Sequence, residues 1–112
     1  MTTITFFEKE NAFCGFSVKG HSGYAHEGSD IVCSAISSCT EMLGFGIAEV
    51  FGEKRGNLSI NEKTTEISFK IPEDITETEN DKWKLLVGMF FGYMTELENS
   101  YRKYIKIKKR RI

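Results

Sequence analysis

The chain reads as an α/β domain of the α+β type, with two helices packed on one face of a mostly antiparallel sheet in the order ββαββαβ. Three observations predict this. Its 112 residues are enough for one modest core, so a single domain is expected over residues 1–112. Two segments carry the three- and four-residue apolar spacing of helices. The remaining apolar segments are short, rich in β-branched and aromatic residues, and separated by polar turns.

Residues 2–7 (TTITFF) predict a first strand, and residues 12–18 (AFCGFSV) a second, hairpinned to it across the polar stretch 8–11. The next eleven residues, GHSGYAHEGSD, hold three glycines and no periodicity, so they predict a loop able to reorder around a ligand. Asp30 reads as an N-cap for a helix over residues 31–51. In that helix Val32, Ala35, Ile36, Cys39, Leu43, Gly46, Ile47 and Val50 form one stripe expected to be buried. Residues 57–61 and 65–71 predict two strands around a turn near 62–63, the second stopped by Pro72. A second helix begins within the acidic segment 73–81, where Thr76 and Glu79 fit a capping box. Its expected stripe is Leu86, Met89, Phe90, Tyr93, Met94, Leu97 and Tyr101. The final KYIKIKK alternates and predicts a last strand, ending in a solvated, frayed tail.

A composition of 40% apolar and 28% charged residues argues against disorder, and no uncharged apolar run approaches the roughly 20 residues of a bilayer span. The first residues lack the pattern of a secretory signal, and three cysteines do not make a disulfide framework, so a reducing, cytoplasmic setting is expected. The net charge of −1 is unevenly spread. The last eleven residues hold seven of the fifteen basic side chains and no acid, leaving eight basic against sixteen acidic in the first 101. An acidic body favours cationic partners, while the basic tail offers a contact for RNA or ribosomes.

Chemistry points to the stretch from residue 20 to residue 37. With Asp30 as N-cap, Cys33 is the third helical residue, where unpaired N–H groups and the helix dipole favour a thiolate. Helical phase sets Cys33 at the edge of the stripe beside Ser37 and Thr40, and Cys39 within it, so Cys39 reads as a packed thiol. A nucleophilic thiol needs a base, and the chain has only His21 and His26. His21 follows directly on the second strand and is the preferred base; His26 sits mid-loop and reads as a loop residue. The N–H groups around Val32 to Ser34 could form an oxyanion hole. Spacing alone leaves open that Cys33 is a packing residue. No metal is expected, because close Cys or His pairs are absent, and no nucleotide-binding glycine motif occurs, so no cofactor is expected.

The string Gly20-His21-Ser22, a short loop, and Gly28-Ser29-Asp30-Ile31-Val32-Cys33-Ser34-Ala35-Ile36-Ser37 resembles the signature of the ribosomal-processing cysteine protease family, Prp. The resemblance implies a small homodimeric cysteine protease with Cys33 as nucleophile and His21 as general base. The motif acid falls on Asp30 and the motif serine on Ser37, with Gly20, Ser22, Gly23 and Gly28 in the loop that orders around the substrate. It further implies removal of a short N-terminal extension from a basic partner, large-subunit ribosomal protein number twenty-seven. Met42 and Phe45 lie off the first helix's stripe and would suit a dimer interface. The alternative is a non-catalytic ribosome- or RNA-associated module that uses the basic tail.

Overall fold

A computed structural model describes residues 1–26 and 30–112. The predicted order is observed: β1 (Thr2–Lys9), β2 (Ala12–Lys19), α1 (Ile31–Phe51), β3 (Ser59–Asn61), β4 (Glu66–Lys70), α2 (Glu77–Ser100) and β5 (Ile105–Arg111). β1 and β2 form a hairpin whose two turn residues, Glu10 and Asn11, both have positive φ (53° and 63°). That is the primed turn geometry that matches strand twist. The sheet runs β3-β4-β2-β1-β5, antiparallel except for the parallel pair β1–β5. The chain reaches that parallel edge by crossing over the sheet on α2.

Alternation along β1 sends Thr2, Ile4 and Phe6 to the helix side, where they meet Phe16 and Val18 of β2, Phe69 of β4 and Ile105 of β5. The register slips between Phe7 and Glu8, so Cys14 falls in a bulge and its thiol donates to the Phe7 carbonyl at 3.5 Å. Phe13 turns toward the helices and accepts a 2.8 Å hydrogen bond from the indole N–H of Trp83. Trp83 is fully buried, so this bond supplies the partner its polar atom requires.

Both helices are rotated relative to their predicted stripes. In α1 the buried residues are Val32, Ile36, Thr40, Leu43, Ile47 and Phe51, while Cys39 is half-buried at the core's edge. Thr40 was expected on the polar boundary. It lies inside because its hydroxyl donates back to the Ile36 carbonyl at 2.7 Å, which removes the cost of burying it. In α2 the buried stripe is Trp83, Val87, Phe90 and Met94, whereas the predicted Met89 and Tyr93 are exposed. Apolar residues cover so much of this helix's circumference that several stripes fit the spacing, and the sheet selects among them. By length and composition α1 could also cross a bilayer, with a mean hydropathy of 1.5, contrary to the expectation that no segment approaches the length of a span. Here its apolar side lies on the sheet.

The C-terminal end is not frayed. β5 continues to Arg111, and the amide of Ile112 still donates to the Glu8 carbonyl at 3.0 Å.

Candidate active site

The site is built where β2 hands over to α1. β2 ends at Lys19, and Gly20 turns the chain with φ +93°. A Cβ at Gly20 would lie 2.8 Å from the Met1 carbonyl, so both conformation and space require glycine here. That turn carries His21 to the rim of a cleft and drops Ser22 into the interior.

Asp30 caps α1 as predicted. Its backbone is extended, and one carboxylate oxygen accepts the Cys33 amide at 2.9 Å. The other oxygen accepts from the Ser22 hydroxyl at 2.5 Å and from the amides of Tyr24 at 3.1 Å and Ala25 at 3.4 Å. One buried carboxylate thus ties the helix start and the loop together. Burial alone would raise its pKa. The hydrogen bonds from Ser22, Cys33 and Ala25 outweigh this and bring the carboxyl from 3.8 down to about 2. Tyr24 adds an apolar anchor, its ring set edge-on to Tyr101 and Tyr104 at 5.8 and 5.2 Å. The loop, expected to bend freely, is held at both points. Gly28 of the predicted substrate loop lies outside the described residues.

Cys33 is half-buried and presents its sulfur to Ser22. The Ser22 amide donates to the sulfur at 3.2 Å, and the thiol lies 3.4 Å from the Ser22 hydroxyl, within reach to donate to it. An N–H directed at sulfur suits a thiolate, which accepts hydrogen bonds and donates none. The three groups Cys33, Ser22 and Asp30 form a continuous chain of hydrogen bonds, a role for Ser22 that its place in a glycine-rich loop did not signal. Cys39, by contrast, packs against the core, and burial pushes its pKa up.

His21 and Cys33 line the same cleft of about 340 Å³, together with Ser37 one helical turn beyond the thiol. His21 is exposed, and no hydrogen bond joins it to Cys33 or to Asp30 among the described residues. The cleft's other walls mix apolar Val18, Ile36, Ile60 and Ile67 with polar Thr2, Asn61 and Thr65, and Glu62 lies at the β3–β4 turn. The expected oxyanion donors are narrowed. The Cys33 amide is occupied by the Asp30 side chain, and the Ser34 amide by the Asp30 carbonyl at 3.1 Å. Capping consumes the same N–H groups that an oxyanion would need.

The fold is shared with solved structures. The chain is similar to the essential ribosomal processing protease Prp from S. aureus, solved with a covalently linked product peptide. The two are 18% identical with a TM-score of 0.82, over 98% of this chain and 100% of that one. The same protease with a substrate peptide gives 18% identity and a TM-score of 0.77 over the same shares. SMU.848 from Streptococcus mutans gives 22% identity and a TM-score of 0.80, over 100% of this chain and 96% of that one. No curated protein matches the chain. The family model described as cysteine protease Prp matches residues 1–106, and with a thiol at the mouth of a capped helix and an imidazole on the same cleft, the chain belongs to the Prp family of cysteine proteases.

Proposed function

We propose that this chain is the endopeptidase that trims the N-terminal extension of large-subunit ribosomal protein twenty-seven, using Cys33 as nucleophile and His21 as general acid and base. The observation that carries the reading is that sulfur and imidazole line one cleft at the start of a capped helix, in a chain of this family. The relative from S. aureus is named a ribosomal processing protease and was solved with both a substrate peptide and a covalently linked product peptide, which supports the substrate class.

In this mechanism His21 takes the Cys33 proton, and the thiolate attacks the scissile carbonyl carbon to form a tetrahedral oxyanion. The C–N bond then breaks, the electron pair leaves with the amine, and the imidazolium returns its proton to that nitrogen. The resulting thioester is hydrolysed by water, deprotonated by His21, which restores the thiol. Substrate docking would draw the exposed imidazole onto the sulfur, so the dyad is completed by the peptide it cuts. The apolar walls at Ile36, Ile60 and Ile67 suit apolar side chains before the scissile bond, and Glu62 suits a basic substrate.

The family resemblance also implies a homodimer. Met42 and Phe45 of α1 are 69% and 77% exposed, and Leu85, Met89 and Tyr93 of α2 are exposed as well. Gly46 faces Leu86 across the seam between the helices, which brings these side chains to one outer surface. A dimer through that surface should become a monomer on Phe45→Glu, read by sedimentation; an unchanged mass would exclude this interface.

The decisive test uses the organism's own ribosomal protein precursor. Wild-type enzyme should shorten it at the N-terminus, and Cys33→Ala should leave it intact while melting like wild type. A precursor still trimmed by Cys33→Ala would end the assignment.

A further inference from the structure

The fold sorts charge between its helices and its strands. The two helices carry seven acidic and two basic side chains, whereas the five strands carry eight basic and two acidic. Among the described residues no helix covers the outer face of the sheet. The register brings Lys106 beside Thr3, Lys108 beside Thr5 and Arg110 beside Phe7 on that face. Lys19 flanks Thr3 from the other side, and Lys70 lies across Gly15 from Phe7. These bases are all exposed. Residues two apart on one strand face recur at about 6.6 Å, so Lys106, Lys108 and Arg110 make a regular row of cations.

We propose that this open face of the sheet binds single-stranded RNA, with the β5 bases on the phosphates and Phe7 as a stacking platform. Phe7 is half-buried, and its cross-strand neighbour Gly15 has no side chain to cover the ring. The Lys70 ammonium stands 5.8 Å from its centre. A groove of about 460 Å³ runs over this face past Phe7, Ser17, Ser68 and Lys70, with Arg55 and one acid, Glu66, also lining it; it supplies hydroxyl donors beside the aromatic. Cations combined with an aromatic on an open surface are the elements of sequence-tolerant single-strand binding.

Magnitudes favour an anionic partner despite the acidic remainder. A helix is about 10 Å thick, and the Debye length in physiological salt is about 8 Å, so the acids on the outer helix surface are largely screened from the sheet's far side. A basic ribosomal protein would be repelled by this face. The basic row also starts at the cleft: Lys19 and Lys106 flank Thr3, while Thr2, Val18 and Gly20 line the cleft. RNA held here would lie beside the substrate peptide. Of these groups Lys108 and Arg110 lie beyond the stretch matched by the family model, whereas Phe7, Lys19, Lys70 and Lys106 lie within it.

Fluorescence anisotropy of the full chain with a labelled polyuridine of about 20 nucleotides tests this. Replacing Lys106, Lys108 and Arg110 together by Ala should weaken binding at least tenfold and flatten the salt dependence by about 2 in log–log slope. Phe7→Ala should weaken it by about fivefold or more with the slope unchanged. Replacing Lys82 and Lys84 on α2 by Ala should change neither. Peptide cleavage by the triple variant should match wild type, which separates this surface from the active site. Equal RNA affinity of the triple variant and wild type, or no wild-type binding at low salt, overturns the proposal. So does binding to phosphatidylserine vesicles without binding to RNA.

Discussion

The two helices begin in the same way and serve different ends. Each has an extended N-cap whose side chain accepts the amide of the third helical residue, Asp30 from Cys33 at 2.9 Å and Thr76 from Glu79 at 3.1 Å. At α2 the side chain of that third residue folds back, and Glu79 accepts the Thr76 amide at 2.9 Å. The box is closed and solvent-facing, and Arg55 adds a surface pair to Glu79 at 3.1 Å. At α1 the third residue is a cysteine, too short to fold back, and the capping carboxylate is buried rather than exposed. Its spare oxygen therefore gathers a loop, and the thiol is left facing Ser22 and a cleft. One backbone motif is a structural stop at one helix and a candidate reactive site at the other. The differences are burial and the identity of a single side chain.

Substitutions can break this contrast in order of size. The largest effect should come from the chemistry at α1: His21→Ala should lower cleavage of a peptide substrate by about 10²–10⁴-fold while leaving the melting temperature unchanged, since His21 is exposed. A cleavage rate within twofold of wild type would remove His21 from the mechanism.

Next comes Asp30→Asn, which should both lower activity and reduce stability. Because the folded carboxyl titrates at about 2 against an ordinary 3.8, the unfolded chain binds more protons between those values. The stability due to Asp30 is therefore complete above about pH 4 and is lost as pH falls toward 2. Acid unfolding of wild type should show that slope, and the Asn variant should lack it.

Ser22→Ala should be intermediate. It removes the hydroxyl between Cys33 and Asp30 but keeps the amide that donates to sulfur. Cleavage should fall by about 10-fold, in line with losing one hydrogen bond of about 1–1.5 kcal/mol. Alkylation of Cys33, followed by mass spectrometry, should remain faster than that of Cys39.

Smallest is Thr76→Ala. It should cost about 1 kcal/mol in denaturant unfolding, and cleavage should be unaffected. If Thr76→Ala disturbed cleavage as much as Asp30→Asn, the two caps would not be functionally distinct.

Much of this layout was legible along the chain because it is local. The N-cap at Asp30, the capping box at Thr76 and Glu79, and the order of strands and helices depend on neighbours within a few residues, and all are observed. The bulge at Cys14 was not legible, because it depends on how two strands pair. The same is true of the buried face of α2. Its apolar residues admit several stripes, and contact with the sheet chose Trp83 and Val87 over Met89 and Tyr93.

The candidate site divides along the same line. Spacing placed Cys33 at a helix start and His21 after a strand, and both line the cleft. The resemblance put Ser22 in the substrate loop, but its link to Cys33 and Asp30 was not legible, since it arises from contacts eight and eleven residues away. Charge shows the division most plainly. Linear order fixes that seven bases crowd the C-terminus. Only the parallel pairing of β5 beside β1 sets Lys106, Lys108 and Arg110 on an open sheet face opposite the acidic helices, because hydrogen bonding between distant strands sets where a side chain points.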